Sequence, residues 1–297
     1  MDIDLELYRI FREVANTSSI SGAAETLFVT QSAVSQAIKQ LEKKIGARLF
    51  NRSVRGVSLT AEGKMLFSYI DDAISLIDNA EKRLIDMLEL GTGAIRIAAS
   101  DTVCNLFLLP VLERFTKNHP EIRISVANLT SLESIELLKR AEVDIAFVNL
   151  PLDKDDSLEI SPVKTIHDCF VVGERYRYLA DTTIEFSELT KHPVLMLETT
   201  SNSRRLMDSY LRDKGIQITP AIELGSLTLL SGFAKIGLGI ALTIREEVEP
   251  LLEGSALYEL NFTEDFPTRH IGVAKMKNLS LSIAAQAFVE ELNNPSY

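Results

Sequence analysis

The chain has 297 residues, of which 46% are hydrophobic and 25% charged, a composition typical of a globular protein with two or three domains. Its net charge is −11, yet the first 66 residues hold nine basic and seven acidic side chains, so the acidity belongs to the rest of the chain. The absence of a long apolar run argues against a membrane-spanning helix, the acidic start lacks a signal-peptide core, and only two cysteines argue against a disulfide framework. We therefore expect a cytoplasmic protein with no membrane partner.

Three short helices are predicted within the first 45 residues. Apolar residues recur at helical spacing in 4–15 and again in 20–28. After a connection of three residues a third helix begins, for which Thr30 or Ser32 is the expected N-cap. Two helices joined by so short a turn are typical of helix-turn-helix DNA-binding domains.

The third helix is predicted to have two unlike faces. Its apolar stripe, spaced 4, 3, 4, consists of Val34, Ile38, Leu41 and Ile45. Its polar stripe, displaced by about 200° around the helix, consists of Ser32, Gln36, Lys39 and Lys43. Carboxamide, hydroxyl and ammonium groups can bond base edges and phosphates, and this stripe contains no carboxylate. The pattern predicts contact with double-stranded DNA, and the alternative is a solvated face of an ordinary three-helix subdomain.

A short two-stranded wing is predicted after Gly46. Residues 48–52 pair with 57–59, and Gly56 suits a turn that needs a positive φ. Arg52 and Arg55 flank this turn, where guanidinium groups can enter the negative potential of a minor groove. We expect both arginines to contribute to DNA binding.

Four runs carry a resemblance to a known family: AAETL at 23–27, TQSAVSQAIKQLE at 30–42, GARLFNR at 46–52 and LTAEG at 59–63. Together they closely resemble the winged helix-turn-helix of LysR-type regulators. The resemblance implies a sequence-specific DNA-binding transcription regulator, not an enzyme, whose third helix enters the major groove. The contacts it implies come from Gln31, Ser32, Ser35, Gln36 and Lys39. The chain has Ser32 where the family commonly has proline and Gln36 where it commonly has arginine, so we expect adenine opposite Gln36.

A long linker helix is predicted from Thr60 to about Leu90. Its apolar residues repeat with coiled-coil spacing at Leu66, Ile70, Ala73, Ile77, Ala80, Leu84 and Met87. This seam predicts pairing with a second copy of the chain, and the alternative is one helix packed on its own domain. The resemblance implies antiparallel pairing of two such helices, in a homodimer or a homotetramer.

The remaining residues alternate strands and helices, which predicts an α/β fold with mainly parallel sheets. One unit starts at Ala94, a second starts near Lys164, and the end of the chain returns to the first. We expect three domains: a winged helix-turn-helix at 1–60, a linker helix at 61–91 and a two-lobed effector-binding domain at 92–297. Lobe I comprises about 92–163 and 269–297, and lobe II about 164–268. The arrangement is similar to that of periplasmic solute-binding proteins.

Short polar residues follow several predicted strands, at the sheet edge where α/β proteins bind ligands. They are Ser100, Thr102, Thr130, Asn149, Thr200 and Ser201. Hydroxyls and the free backbone N–H groups of helix N-termini suit an anion, although the same residues can simply cap helices. The LysR-type resemblance implies an effector pocket at these strand ends. We expect a small anionic effector and neither a cofactor nor a metal.

Three other functions fit the sequence less well. Four scattered histidines and the lack of catalytic motifs argue against an enzyme. A redox-sensing regulator would use Cys104, whose thiolate a helix N-terminus could stabilise. A free solute-binding module would leave the first ninety residues without a purpose. We expect instead that effector closure changes the arrangement of paired linker helices, and so alters DNA bending and contact with RNA polymerase.

Overall fold

The computed structural model describes residues 3–53, 56–90 and 93–293, without the side chains of 52–53, 82–83, 86–90 and 293. The chain divides into two compact units, Met1–Ile85 and Asp86–Tyr297. Arg55, one of the two arginines expected to bind DNA, lies outside the described residues, and so does the side chain of the other, Arg52.

The N-terminal unit contains helices and one antiparallel hairpin: α1 (Leu5–Thr17), α2 (Ile20–Thr26), α3 (Gln31–Ile45), β1 (Phe50–Ser53), β2 (Gly56–Leu59) and α4 (Ala61–Leu90). Thr30 caps α3 by accepting a hydrogen bond from the Ala33 N–H at 3.2 Å. The apolar stripes of the three short helices close one core, whose fully buried members include Phe11, Val14, Val34 and Leu41. The predicted helix-turn-helix and wing are therefore confirmed.

Two contacts fix the wing against the helices. The Glu42 carboxylate accepts a hydrogen bond from the Leu49 N–H at 2.8 Å, so this acidic side chain of α3 is turned toward the hairpin. A Cβ at Gly63 would overlap the Leu49 carbonyl oxygen, so only glycine lets α4 pass this close to the hairpin. Gly56 has a φ of 125°, the positive value expected at the wing turn.

The long helix α4 is partly held by its own unit. Leu66 and Ile70, expected in a seam between two copies, pack on the N-terminal core instead. Ile74, one residue beyond the expected seam position, is fully buried. Ion pairs from α1 add to this packing: Arg12 contacts Asp71 at 2.7 Å and Arg9 contacts Asp78 at 2.7 Å. Leu84 remains exposed, and the side chain of Met87 is outside the described set.

The second unit contains two five-stranded mixed sheets. The first has the order β4-β3-β5-β14-β6, from β3 (Ala94–Ala99), β4 (Arg123–Asn128), β5 (Ile145–Leu150), β6 (Leu158–Ile166) and β14 (Arg269–Met276). Strand β3 runs parallel to β4 and β5, whereas β14 is antiparallel to β5 and β6. Its helical segments are α5 (Asp101–Val103), a π-helical turn (Cys104–Leu108), α6 (Leu109–Asn118), α7 (Ser131–Lys139) and α11 (Ile283–Asn293).

The second sheet has the order β10-β9-β11-β7-β12, from β7 (Asp168–Val172), β9 (Val194–Leu197), β10 (Ile222–Leu224), β11 (Ile240–Ile244) and β12 (Tyr258–Glu259). A two-stranded ribbon joins β8 (Thr183–Ile184) to β13 (Asn261–Phe262). The helices are α8 (Asn202–Asp213), α9 (Leu227–Lys235) and α10 (Arg245–Glu253), with 3₁₀ turns at Glu174–Leu179 and Phe186–Lys191. The α/β architecture agrees with the prediction, but each sheet pairs half of its neighbouring strands antiparallel, whereas mainly parallel sheets were expected.

Local details differ from the prediction. The first helix of this unit begins at Asp101, so Thr102, expected between a strand and a helix, lies inside α5. Asn149, expected after its strand, lies inside β5. Strand β6 was not predicted, because its exposed residues and Pro162 lack the apolar run of a central strand, and it runs past the boundary expected near Lys164.

Two chain crossings connect the sheets, one between β6 and β7 and one just before β14. At these crossings Arg269 holds Asp168 through both carboxylate oxygens, with the Nε–Oδ2 distance at 2.6 Å. Only 3% of the arginine side chain and 7% of the aspartate side chain are exposed. The Arg269 Nη1 also donates to Ser203 Oγ at 3.1 Å, in the first turn of α8. The buried Arg269 guanidinium therefore connects the two crossings with each other and with the first turn of α8.

Among the described residues, no helix combines the length and the apolar content that crossing a bilayer requires.

Candidate functional site

The outer face of α3 presents the residues predicted to read DNA. Gln31, Ser32, Gln36 and Lys39 are exposed, and Ser35 is half-buried. The opposite face is buried, with the side chains of Val34, Ala37, Ile38 and Leu41 inside the core. The hydroxyl oxygens of Thr30 and Ser32 lie 2.9 Å apart, so the cap and the first turn form one polar patch. A convex helix with this surface fits the major groove.

The same surface is cationic toward the wing. Lys43 and Arg48 are exposed, while the carboxylate of Glu42 is occupied by the N–H groups of Leu49 and Phe50. The one acidic side chain within α3 is thus turned toward the hairpin, away from the exposed polar stripe. This local positive charge supplies electrostatic attraction to DNA although the whole chain is acidic.

In the second unit, all six residues predicted to bind an effector line one cavity of about 230 Å³ between the two sheets. Ser100, Thr102, Thr130 and Asn149 come from the first sheet's side, at the carboxyl ends of β3, β4 and β5. Thr200 and Ser201 come from the other side, after β9. The rest of the wall consists of Asp101, Asn128, Leu129, Ser131, Glu133, Leu197, Glu198, Asn202, Ser203, Gly225 and Leu227.

Three helix N-termini point toward this cavity, with Ser100, Thr130 and Ser201 in the N-cap positions of α5, α7 and α8. Thr130 is used as a cap, because it forms a reciprocal capping box with Glu133. Ser100 and Ser201 make no capping bond with their side chains. Capping alone therefore accounts for Thr130 but not for the other two hydroxyls.

Asn149 is the most enclosed of the predicted residues, with 8% of its surface exposed. Its backbone N–H donates to Ser131 Oγ at 2.9 Å, which fixes the end of β5 against α7. In the described part of the chain, its Oδ1 and the Ser100 Oγ are buried without a hydrogen-bond partner. Since buried polar atoms are nearly always satisfied, these two atoms are exceptions among the residues that line the cavity.

Asn202 joins the two sides of the cavity. Its side-chain amide donates to the Asn149 carbonyl oxygen at 2.8 Å and to the Pro151 carbonyl oxygen at 3.0 Å. Asn202 directly follows the predicted site residues Thr200 and Ser201, but its role as a bridge depends on a contact across 51–53 residues of chain. No local pattern signals such a contact.

The charges around the cavity are carboxylates: Asp101, Glu133 and Glu198 line it, and no lysine or arginine does among the residues that the structure describes. The Thr130 hydroxyl and backbone N–H hold the pKa of Glu133 below its usual range. Asp101 accepts a hydrogen bond from the Asn128 amide at 2.6 Å. Any anion here would be bound by N–H and hydroxyl dipoles and not by an ion pair.

Cys104 lies in the π-helical turn and is half-buried. Burial, together with the neighbouring Asp101 carboxylate, raises the pKa of its thiol. This opposes the stabilised thiolate on which the redox alternative depends. Cys169 is buried in β7, and burial raises the pKa of its thiol as well. Within the described ranges, no group of histidine, cysteine, aspartate or glutamate side chains could hold a metal ion.

Comparison with known proteins matches both units to family models. Residues 5–64 match the bacterial regulatory helix-turn-helix protein of the lysR family. Residues 89–294 match the LysR substrate binding domain. The two matches together span most of the chain.

Full-length relatives and solved structures agree. A probable RuBisCO transcriptional regulator of Phaeodactylum tricornutum (strain CCAP 1055/1) is 27% identical over 296 residues, covering 97% of this chain and 95% of that protein. The LysR-type regulator CbnR, crystallised full-length with its target DNA, aligns with a TM-score of 0.66 at 16% identity, over 98% and 99% of the two chains. The effector binding domain of QuiR in complex with shikimate aligns with a TM-score of 0.60 at 23% identity, over 67% and 95%.

Proposed function

The chain belongs to the LysR family of transcription regulators, and from this premise we propose that its DNA binding is switched by a small anion held between the two sheets of its effector-binding domain. The family consists of regulators and not of enzymes. We also propose that the DNA-binding domain ends at residue 60, that the linker helix occupies 61–91, and that the effector-binding domain has two lobes. The residues predicted to bind the effector and its negative charge are part of the same proposal.

The observation that carries the proposal is the cavity itself. Three helices begin at its wall, and two hydroxyls there make no capping bonds, so donors from both sides surround a cavity of about 230 Å³. The helix dipoles favour negative charge, whereas the three lining carboxylates oppose it. Hydrogen bonds from Thr130 and Asn128 partly compensate the charge of two of those carboxylates, which leaves the N–H dipoles of three helices to favour an anion. The effector binding domain of QuiR, which aligns with this unit, is in complex with shikimate, which supports a small-molecule effector here.

We propose Gln31, Ser32, Ser35, Gln36 and Lys39 as the operator contacts, with Arg52 and Arg55 of the wing beside them. Large apolar side chains of α4, among them Leu76, Leu84 and Ile85, are exposed, which supports pairing of α4 with a second copy in a homodimer or homotetramer. Since the protein binds DNA, we propose that it is cytoplasmic and that it alters contact with RNA polymerase at its operator. The effector acts by binding one arrangement of the assembly more tightly than another.

The test is thermal unfolding of the full chain with small carboxylates and oxyanions, each beside its uncharged amide or alcohol. A ligand at a hundred times its Kd stabilises the folded protein by about 2.7 kcal/mol, which raises Tm by several degrees. We expect the acids to raise Tm and their uncharged counterparts to have no effect. Stabilisation only by cations or by neutral sugars would contradict the anionic assignment.

A matched pair of variants locates the binding. Thr200→Leu fills the cavity from an exposed position, whereas Thr199→Leu makes the same change next to it, at a residue that does not line the cavity. We expect the first variant to lose the ligand-induced rise in Tm and the second to keep it. Equal responses of the two variants would place the effector elsewhere.

Cys104→Ser is expected to leave regulation unchanged, because a thiol with a raised pKa is a poor redox sensor. The measurement is operator affinity before and after mild peroxide treatment, for the wild type and the variant side by side. If peroxide alters operator binding of the wild type but not of the variant, regulation depends on oxidation of Cys104 and the proposed control by an anion is wrong.

A further inference from the structure

The turn between α2 and α3 exposes an aromatic side chain that the fold does not use. Phe28 is 96% exposed and the adjacent Val29 is 44% exposed. Both precede the helix that reads DNA, and neither was assigned a role from the sequence. Single exposed apolar residues are common, so the exposure alone does not indicate a function.

The backbone at Phe28 adds a second, independent feature. Phe28 has a φ of 56°, in the left-handed region. The Phe28 N–H donates to the Glu25 carbonyl oxygen at 3.2 Å, and the Val29 N–H donates to the Ala24 carbonyl oxygen at 3.0 Å. This pair of bonds closes a helix with a left-handed residue, a position in which glycine is preferred and a phenylalanine is disfavoured.

Neither the conformation nor the exposure of Phe28 helps the N-terminal unit to fold. Glycine would close α2 with less strain and would expose less apolar surface. Strained residues of this kind concentrate at functional sites, and the inference runs from the observed outlier to a function. A role outside the fold would explain why this side chain is phenylalanine.

The position of Phe28 indicates the partner. Phe28 is three residues before Gln31, so their Cα atoms are at most about 11 Å apart. The N-terminal residues of a reading helix meet base edges in a major groove about 12 Å wide. Val29, Gln31 and Ser32 are exposed along the same stretch, which makes Phe28 continuous with the DNA-contacting surface. The one apolar group that base pairs present in this groove is the methyl of thymine.

We propose that Phe28, with Val29 beside it, packs on the 5-methyl group of a thymine in each operator half-site. Phe28 is then a specificity-determining residue that reads thymine by apolar contact, whereas Gln36 and Lys39 read through hydrogen bonds and charge. The proposal rests on the DNA binding of the family, and it assigns one base to a turn residue outside the reading helix.

The experiment first selects operator duplexes from a random pool with the wild-type chain. Each thymine of the enriched site is then replaced by deoxyuridine, symmetrically in both half-sites, which removes the methyl group and keeps base pairing. We expect one position to weaken binding by about fourfold for each half-site, the effect of one buried methyl group. If deoxyuridine at every position binds like thymine, the proposal is overturned, while enrichment of a site still upholds the regulator function.

Three variants complete the test. Phe28→Gly and Phe28→Asn suit a left-handed φ, so we expect their Tm to equal or exceed that of the wild type while they bind the thymine operator as weakly as the deoxyuridine one. Phe28→Met keeps an apolar group and should retain part of the preference for thymine. If Phe28→Gly weakens binding to both duplexes equally and the methyl preference persists, Phe28 contacts the sugar-phosphate backbone or another protein, and the assignment to thymine is wrong.

Discussion

Replacing Gln36 and Lys39 together by alanine is expected to weaken operator binding by about a hundredfold, since each base or phosphate contact contributes roughly 1–3 kcal/mol. Both side chains lie on the exposed face of α3, away from the buried residues Val34 and Ile38, so the fold should survive. Removing the Lys39 ammonium should also reduce the salt dependence of binding, by about one unit of slope for each phosphate that is no longer neutralised. Fluorescence anisotropy across a salt series measures both effects.

The matched control is Gln217→Ala with Lys154→Ala, which removes the same amide and the same charge from exposed positions in the second unit. We expect the control to bind the operator as the wild type does, and both double variants to have the wild-type Tm. If the Gln36 and Lys39 variant still binds its operator with wild-type affinity and slope, α3 is not the reading helix and the proposed contacts fail together.

Arg269→Met is expected to destabilise the second unit by about 3–5 kcal/mol, because it leaves the Asp168 carboxylate buried without its partner. The guanidinium bonds both oxygens of Asp168 and also Ser203 Oγ, so the change removes three hydrogen bonds at once. Urea unfolding of the full chain, followed by circular dichroism, measures the decrease in stability.

Two further variants test whether the loss of stability comes from the buried ion pair and not from the substitution in general. Arg177→Met breaks an exposed ion pair with Glu174 and should change the unfolding free energy by less than about 1 kcal/mol. Asp168→Asn combined with Arg269→Met should cost less than the two single changes added together, because the uncompensated charge is gone. Additive costs would mean that the two side chains do not act as a pair.

The DNA-reading half was predictable because its signals are local. Helical periodicity separates Val34, Ile38 and Leu41 from Gln36 and Lys39 within a single helix, and the caps and turn glycines lie next to the elements they end. The structure keeps the two faces as predicted. The sequence did not predict the strained backbone at Phe28, because a left-handed φ is signalled in a sequence mainly by glycine.

The effector cavity was only partly predictable. Strand ends marked Ser100 and Thr200, because polar residues after an apolar strand are visible in sequence. The other contacts join residues far apart in the chain. They are the hydrogen bond from Asn202 to Asn149, the buried ion pair of Arg269 with Asp168 and the antiparallel pairing of β6 with β14. Such contacts follow from packing of whole sheets, which single-sequence patterns do not encode.

The attachment of α1 to α4 has a mechanical consequence. Since Arg9 and Arg12 hold Asp78 and Asp71 while Leu66 and Ile70 lie in the N-terminal core, α1 and the first half of the long helix are expected to move together. With 30 residues, that helix is about 45 Å long. A tilt of about 10° would then move its end through about 8 Å, more than two steps of a duplex whose bases rise by about 3.4 Å. In a dimer of the kind proposed above, we expect an angular change of this size to alter which half-site spacing the protein can bind.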